Sequence, residues 1–86
     1  MYTIEKTNNY RFQYNKLPLR LKRFIDEVED TIRENPFDVQ GKIKALAKKK
    51  DGRLYRFRMP GIHVLYIVHD TEMLITMTQV KTLYKL

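Results

Sequence analysis

Three side chains in the second half of the chain have the types and spacing to handle phosphate. Arg56 and Arg58 alternate with Tyr55, Phe57 and Met59, and His63 follows just beyond Pro60-Gly61. In a strand over Leu54–Met59, Tyr55, Phe57 and Met59 point one way, and Leu54, Arg56 and Arg58 the other. With Met59 and Ile62 flanking the turn, Arg58 stands opposite His63 and Phe57 opposite Val64. An L-Pro-Gly pair does not favour the primed two-residue hairpin, so this register rests on alternation rather than turn chemistry. It places Arg56, Arg58 and His63 on one face and Tyr55, Phe57, Met59, Val64, Tyr66 and Val68 on the other. Guanidiniums grip phosphate oxygens with paired donors and stabilise negative charge as it builds. An imidazole with an ordinary pKa near ~6.5 transfers protons at neutral pH. RNA brings its own nucleophile, the 2′-hydroxyl, so this set can serve phosphoryl transfer without a metal or a cysteine. Two plainer readings stay open: anion binding alone, and outward residues of an exposed sheet with no special role.

The charge around this set is concentrated. The net charge is +7. Residues 41–58 hold Lys42, Lys44, Lys48, Lys49, Lys50, Arg53, Arg56 and Arg58 against Asp51 alone, which accounts for the whole surplus. Such a field attracts polyanions, and binding through it weakens with salt. A lysine-rich solvated loop is the alternative. Near the end, Lys81, Tyr84 and Lys85 set an aromatic among cations. Stacking on a base and a frayed terminus are both open for Tyr84. His69, beside Asp70, reads as a solvent-exposed residue. No histidine–carboxylate pattern suggests a metal site, the glycines are isolated rather than in a phosphate loop, and no cofactor is implied.

The elements that must position these residues follow from periodicity. Tyr2–Lys6 alternates as a strand. Thr7 or Asn8 caps a helix over Asn8–Lys16, and Pro18 opens a second over Pro18–Glu34. The second carries an apolar stripe of Leu21, Phe24, Ile25, Val28 and Ile32, with Glu29 and Arg33 as an i, i+4 pair, and stops at Asn35-Pro36. Phe37–Gly52 reads as a connector in which Ile43 and Leu46 touch the core. Strands over Leu54–Met59, Ile62–His69 and Met73–Val80 follow with short turns. The expected fold is α+β, in the order β-α-α-β-β-β, with a helical hairpin on one face of a small antiparallel sheet.

Length and composition set the bounds. The 86 residues make one domain, 1–86, and 43% of them are hydrophobic, enough for one modest core. With no cysteine, disulfides and thiolate chemistry are excluded. No run approaches the ~18–20 apolar residues of a membrane span, and the N-terminus lacks a signal-peptide layout, so a cytoplasmic protein with no membrane partner is expected.

The order and spacing of these segments resemble the RelE/ParE superfamily of toxins from toxin–antitoxin systems. The resemblance covers nearly the full chain. It runs through the opening strand with Tyr2 and Ile4, Leu17-Pro18, Glu34-Asn35-Pro36-Phe37 and Lys42-Ile43-Lys44-Ala45-Leu46. It continues through Leu54-Tyr55-Arg56-Phe57-Arg58 and Val64-Leu65-Tyr66. It implies a toxin neutralised by a cognate acidic antitoxin. In the RelE branch, it implies an endonuclease that cuts mRNA in the ribosomal A site, without metal, by 2′-hydroxyl attack on the adjacent phosphate. On that reading Arg56 and Arg58 are the family's basic pair, and His63 stands where many members have an arginine and supplies a general base. Lys81 and Tyr84 approximate the family's C-terminal basic residue and tyrosine, with Tyr84 stacking on or orienting the substrate. The lysines Lys42, Lys44, Lys48, Lys49 and Lys50, with Arg53, form an approach surface for RNA. The alternatives are a ParE-like or catalytically degenerate toxin that acts by binding protein, such as gyrase, and a plain RNA-binding module.

Overall fold

A computed structural model describes residues 1–37 and 41–83 of the chain. The elements are β1 (Thr3–Lys6), α1 (Asn8–Asn15), α2 (Leu19–Glu34), β2 (Ile43–Lys49), β3 (Gly52–Met59), β4 (Ile62–His69) and β5 (Leu74–Thr82). A short 3-10 turn, Asp70–Glu72, joins the last two strands. One sheet runs in the order β1-β5-β4-β3-β2. Tyr10 and Leu17 from the α1 region, Ile25, Val28 and Ile32 from α2, and Phe57, Met59, Val64, Tyr66, Val68, Ile75, Met77 and Val80 from the sheet form one buried core. The expected α+β class holds, with both helices on one face.

Two features enlarge the expected sheet. The connector contains a fifth strand, β2, antiparallel to β3 with a bulge between Ala45 and Ala47. Its sequence, Ile-Lys-Ala-Leu-Ala-Lys-Lys, lacks alternation and is rich in residues that strands disfavour. Pairing with β3 makes it a strand, and its lysines suit an edge exposed to water. Ile43 packs against the core as expected, whereas Leu46, at the bulge, is exposed. The second feature is that β1 pairs in parallel with β5, so the sheet is mixed rather than antiparallel. Periodicity reveals a strand's faces but not its direction.

The helices start as their sequences direct. The Thr7 hydroxyl accepts the Tyr10 N–H at 3.1 Å and caps α1. Pro18 precedes α2, and its carbonyl accepts the N–H groups of Leu21 and Lys22 at 3.0 Å. The apolar stripe of α2 needs one correction. Phe24 is 42% exposed, while Glu29 is only 5% exposed. The inward arc is centred on Ile25, Val28 and Ile32. Phe24 and Glu29 flank it at similar angles on opposite sides, and the Glu29 side is the one that Tyr10 and Lys6 cover. The Tyr10 hydroxyl donates to Glu29 Oε2 at 2.6 Å, and Lys6 Nζ lies 3.2 Å from Oε1. Burial, then this bond, hold the Tyr10 hydroxyl far above its ordinary titration range. The expected Glu29–Arg33 pair is therefore replaced, and Arg33 bonds Asp30 at 2.8 Å.

Candidate functional site

The β3–β4 hairpin forms in the register that alternation predicts: Met59 pairs with Ile62, Arg58 with His63 and Phe57 with Val64. Phe57, Met59, Val64, Tyr66 and Val68 are buried beneath the helices and Tyr55 is partly so. Arg56, Arg58 and His63 are left together on the open face. The flanking strands extend this set. Lys44 of β2 lies opposite Arg56, and the Lys42 carbonyl accepts the Arg58 N–H at 2.8 Å. On the other side, β5 places Lys81 opposite His63 and Gln79 opposite Leu65. Two rows thus cross the open face, Lys42–Arg58–His63–Lys81 and Lys44–Arg56–Leu65–Gln79, with neighbouring strands ~4.8 Å apart.

The electrostatics of the row act on the imidazole. Partial burial, then Arg56, Arg58 and Lys81, lower the His63 pKa below its ordinary 6.5. That shift favours the neutral ring, in which one nitrogen can accept a proton. Among the described residues, no carboxylate pairs with Arg56, Arg58, Lys44 or Lys81. Arg56 is half-buried, and its Nε is buried without a hydrogen-bond partner. Arg58, Met59, Pro60, Gly61, His63 and Leu83 line a shallow depression of about 440 Å³. Its lining combines a cation and an imidazole with apolar side chains, a combination that can hold a phosphodiester with an attached sugar or base.

The basic block read from sequence as one approach surface divides in space. Lys42 and Lys44 belong with the open face. The β2 bulge then shifts the alternation, so Lys48, opposite Arg53, falls on the helix side of the sheet. Lys48, Lys49, Lys50 and Arg53 gather at the hairpin tip with Tyr55, Asp70 and Thr71 around a separate depression of about 430 Å³. Tyr84 lies outside the described residues. His69 is not the solvent-exposed residue that its place beside Asp70 suggests. It is half-buried, with Nδ1 2.7 Å from the Asp51 carbonyl and Nε2 3.1 Å from Thr76 Oγ1. The Thr76 hydroxyl in turn donates to Glu5 at 2.7 Å, so the histidine ties the β2–β3 turn to β5 and β1.

Sequence reasoning took Lys81 from the basic tail and missed Gln79. The signal for both was present. Ile75, Met77 and Val80 face the core with spacings of two and then three, and a strand can do that only through an extra residue. That residue is Thr78, at a bulge where the pairing steps from Tyr66–Met77 to Leu65–Gln79. Among the described residues, no group of three or more His, Cys, Asp or Glu side chains is placed to hold a metal ion. No described helix is long and apolar enough to cross a membrane.

No protein-family model matches the chain, and no curated protein does. Solved structures do. An archaeal RelE–RelB complex from Pyrococcus horikoshii OT3 is similar with a TM-score of 0.82 and 22% identity, over 94% of this chain and 93% of that one. The isolated E. coli RelE toxin is similar with a TM-score of 0.78 and 15% identity, over 100% of this chain and 88% of that one. The toxin–antitoxin complex RelBE2 from Mycobacterium tuberculosis is similar with a TM-score of 0.76 and 22% identity, over 94% and 96% of the two chains. The chain therefore has the fold of the RelE toxins, over nearly the whole length of each.

Proposed function

We propose that this protein is a RelE-like toxin: a ribosome-dependent mRNA endonuclease of the cytoplasm, held inactive by a cognate acidic antitoxin. The observation that carries the reading is the row in which a neutral His63 stands between Arg58 and Lys81, with Arg56 beside it. Arg56 and Arg58 grip the non-bridging oxygens of the scissile phosphate and stabilise the charge that builds on them. His63 takes the 2′-hydroxyl proton. The 2′-oxygen forms a bond to the adjacent phosphorus, the bond from phosphorus to the 5′-oxygen breaks, and the departing oxygen takes a proton from water while His63 returns its own to solvent. The products are a 2′,3′-cyclic phosphate and a 5′-hydroxyl. Lys42, Lys44 and Lys81 hold the flanking backbone, and Tyr84 stacks on or orients the substrate. No cofactor enters this scheme.

The fold supports the RelE-like reading, and the named neighbours include RelE with RelB, which supports an antitoxin partner. The cationic open face suits an acidic one. Purified protein added to translating ribosomes should cut mRNA at the A site, as mapped by primer extension. The triple substitution of Arg56, Arg58 and His63 by alanine should abolish cutting and relieve growth arrest on expression. Intact mRNA with the wild-type protein would remove the endonuclease reading and leave RNA binding alone.

A further inference from the structure

We infer that Gln13, on α1, is a positioning residue for the cationic row: it fixes the stretch of β5 that carries Gln79 and Lys81. The inference rests on the role proposed above for that row. The geometry behind it lies on the outer edge of β5. β1 runs beside β5 only from Leu74 to Met77, and the Thr7 N–H donates to the Met77 carbonyl as the last contact of that pairing. Beyond Met77, β4 is the only strand beside β5. The Thr78 bulge lies at this point, where the alternation of β5 must be reset.

Side chains of the α1 segment take over where β1 stops. The Thr7 hydroxyl and the Asn9 amide donate to the Thr78 carbonyl at 3.3 and 3.4 Å. Gln13 Oε1 accepts the Val80 N–H at 2.7 Å, the shortest of these contacts. Asn9 and Gln13 are one turn apart, so one face of α1 serves as a substitute strand edge. On the β4 side, the Thr78 hydroxyl donates to the Leu65 carbonyl at 3.1 Å.

What this bracket secures is a choice of face. With the bulge, Val80 is buried opposite Val64 and Lys81 lies on the open face opposite His63. Without it, strand alternation would turn Val80 outward and Lys81 toward the helices. Burial of Val80 favours the observed arrangement, and Gln13 gives the Val80 N–H a partner on the edge that β1 has left. Gln13 has no contact with a substrate in this scheme; it acts through the position of Lys81.

The test uses the full chain with Gln13→Met, which keeps length but removes the acceptor, and Gln13→Glu, which keeps an acceptor oxygen. Two readouts need no cleavage: titration of His63 by NMR without RNA, and binding of a 2′-O-methyl RNA oligonucleotide. Gln13→Met should move the His63 titration upward toward 6.5, in the direction given by Lys81→Met, because both take a cation from beside the ring. It should weaken oligonucleotide binding about five-fold, the size of one charge contact in water. The double variant should be no worse than Lys81→Met alone, and Gln13→Glu should restore binding. Additive losses in the double variant, or a His63 titration that responds to Lys81→Met but not to Gln13→Met, would overturn the inference. If Gln13→Met does not fold, Gln13→Asn, one methylene short of Val80, replaces it with the same expected outcomes. Absence of mRNA cleavage by the wild-type protein would sink the endonuclease reading but leave these two measurements to decide the role of Gln13.

Discussion

The division of the basic block into an open face and a hairpin tip makes a quantitative prediction about salt. The open face carries five cations, Lys42, Lys44, Arg56, Arg58 and Lys81, in two adjacent rows. The tip carries four more, Lys48, Lys49, Lys50 and Arg53. For a single strand, each neutralised phosphate contributes about −0.7 to the slope of log affinity against log salt, so binding to the face alone gives a slope of about −3.5. Binding to the whole block would give about −6.3 by the same rule. Between 50 and 200 mM salt the first slope is a loss of roughly a hundred-fold and the second of several thousand-fold. Fluorescence anisotropy of a short 2′-O-methyl RNA, which binds but cannot be cut, measures the slope directly. Lys44→Ala with Lys81→Ala should reduce it to about −2.1, whereas alanine at Lys48, Lys49, Lys50 and Arg53 together should leave it near −3.5. A wild-type slope near −6, or a slope that falls with the tip substitutions and not with the face substitutions, would refute the assignment of RNA to the open face.

Two further outcomes follow from buried and half-buried groups. Glu29→Ala leaves the Tyr10 hydroxyl and the Lys6 ammonium without their acceptor and should cost about 3 kcal/mol, near the lower end for a broken buried pair because Lys6 reaches water. Calorimetry should then show a Tm drop of more than ~10 °C for a chain of this size, and a loss below ~1 kcal/mol in urea titration would mean that the network contributes little. The second concerns His63. Because its pKa is lowered in the free protein, the acid limb of the profile of kcat/KM against pH should lie below 6.5 with a plateau through pH 7, and Lys81→Met should move that limb upward. The same shift makes the unfolded state bind the proton first, so stability falls as pH drops from 6.5 toward the folded pKa and is unaffected by this group above 6.5. A limb that stays in place in Lys81→Met would show that His63 is not the base.

Much of this site was legible because strands have a period of two. Strict alternation over Leu54–Met59 was enough to place Arg56 and Arg58 on one face, and with Met59 and Ile62 flanking the Pro60-Gly61 turn it put His63 beside them. What escaped has a common origin in backbone pairing, which leaves little trace in local pattern. β2 has an exposed edge-strand sequence and exists because β3 offers it a ladder. The direction of β1 depends on where the helical hairpin returns the chain. Bulges in β2 and β5 reassign faces, sending Lys48 away from the site and bringing Lys81 into it. The second of these was readable from the spacing of Ile75, Met77 and Val80; the first was not, because Ala45, Leu46 and Ala47 give no polar contrast. Glu29 was misplaced for another reason. A charge beside an apolar arc reads as surface until its partners, distant in sequence but adjacent in space, are known to be Tyr10 and Lys6.

On the proposed endonuclease reading, the cations around His63 have two effects that pull against each other until substrate arrives. In the free protein they lower the basicity of the imidazole, which keeps it neutral but makes it a weaker base. A phosphodiester held by Arg56 and Arg58 brings a negative charge into the same few ångströms and offsets that effect. The imidazole then gains basicity only while the scissile phosphate is bound. By linkage, the same coupling makes the phosphate bind more tightly when His63 is protonated, which in the proposed mechanism is the state reached once it has taken the 2′-hydroxyl proton. Charge developing on the phosphate and charge developing on the ring therefore stabilise each other, an interaction stronger in the transition state than in the ground state. That gain depends on side chains held at fixed separation. Placing them on paired neighbouring strands, rather than on the lysine-rich tip, is what the hairpin register and the bracketed bulge of β5 accomplish.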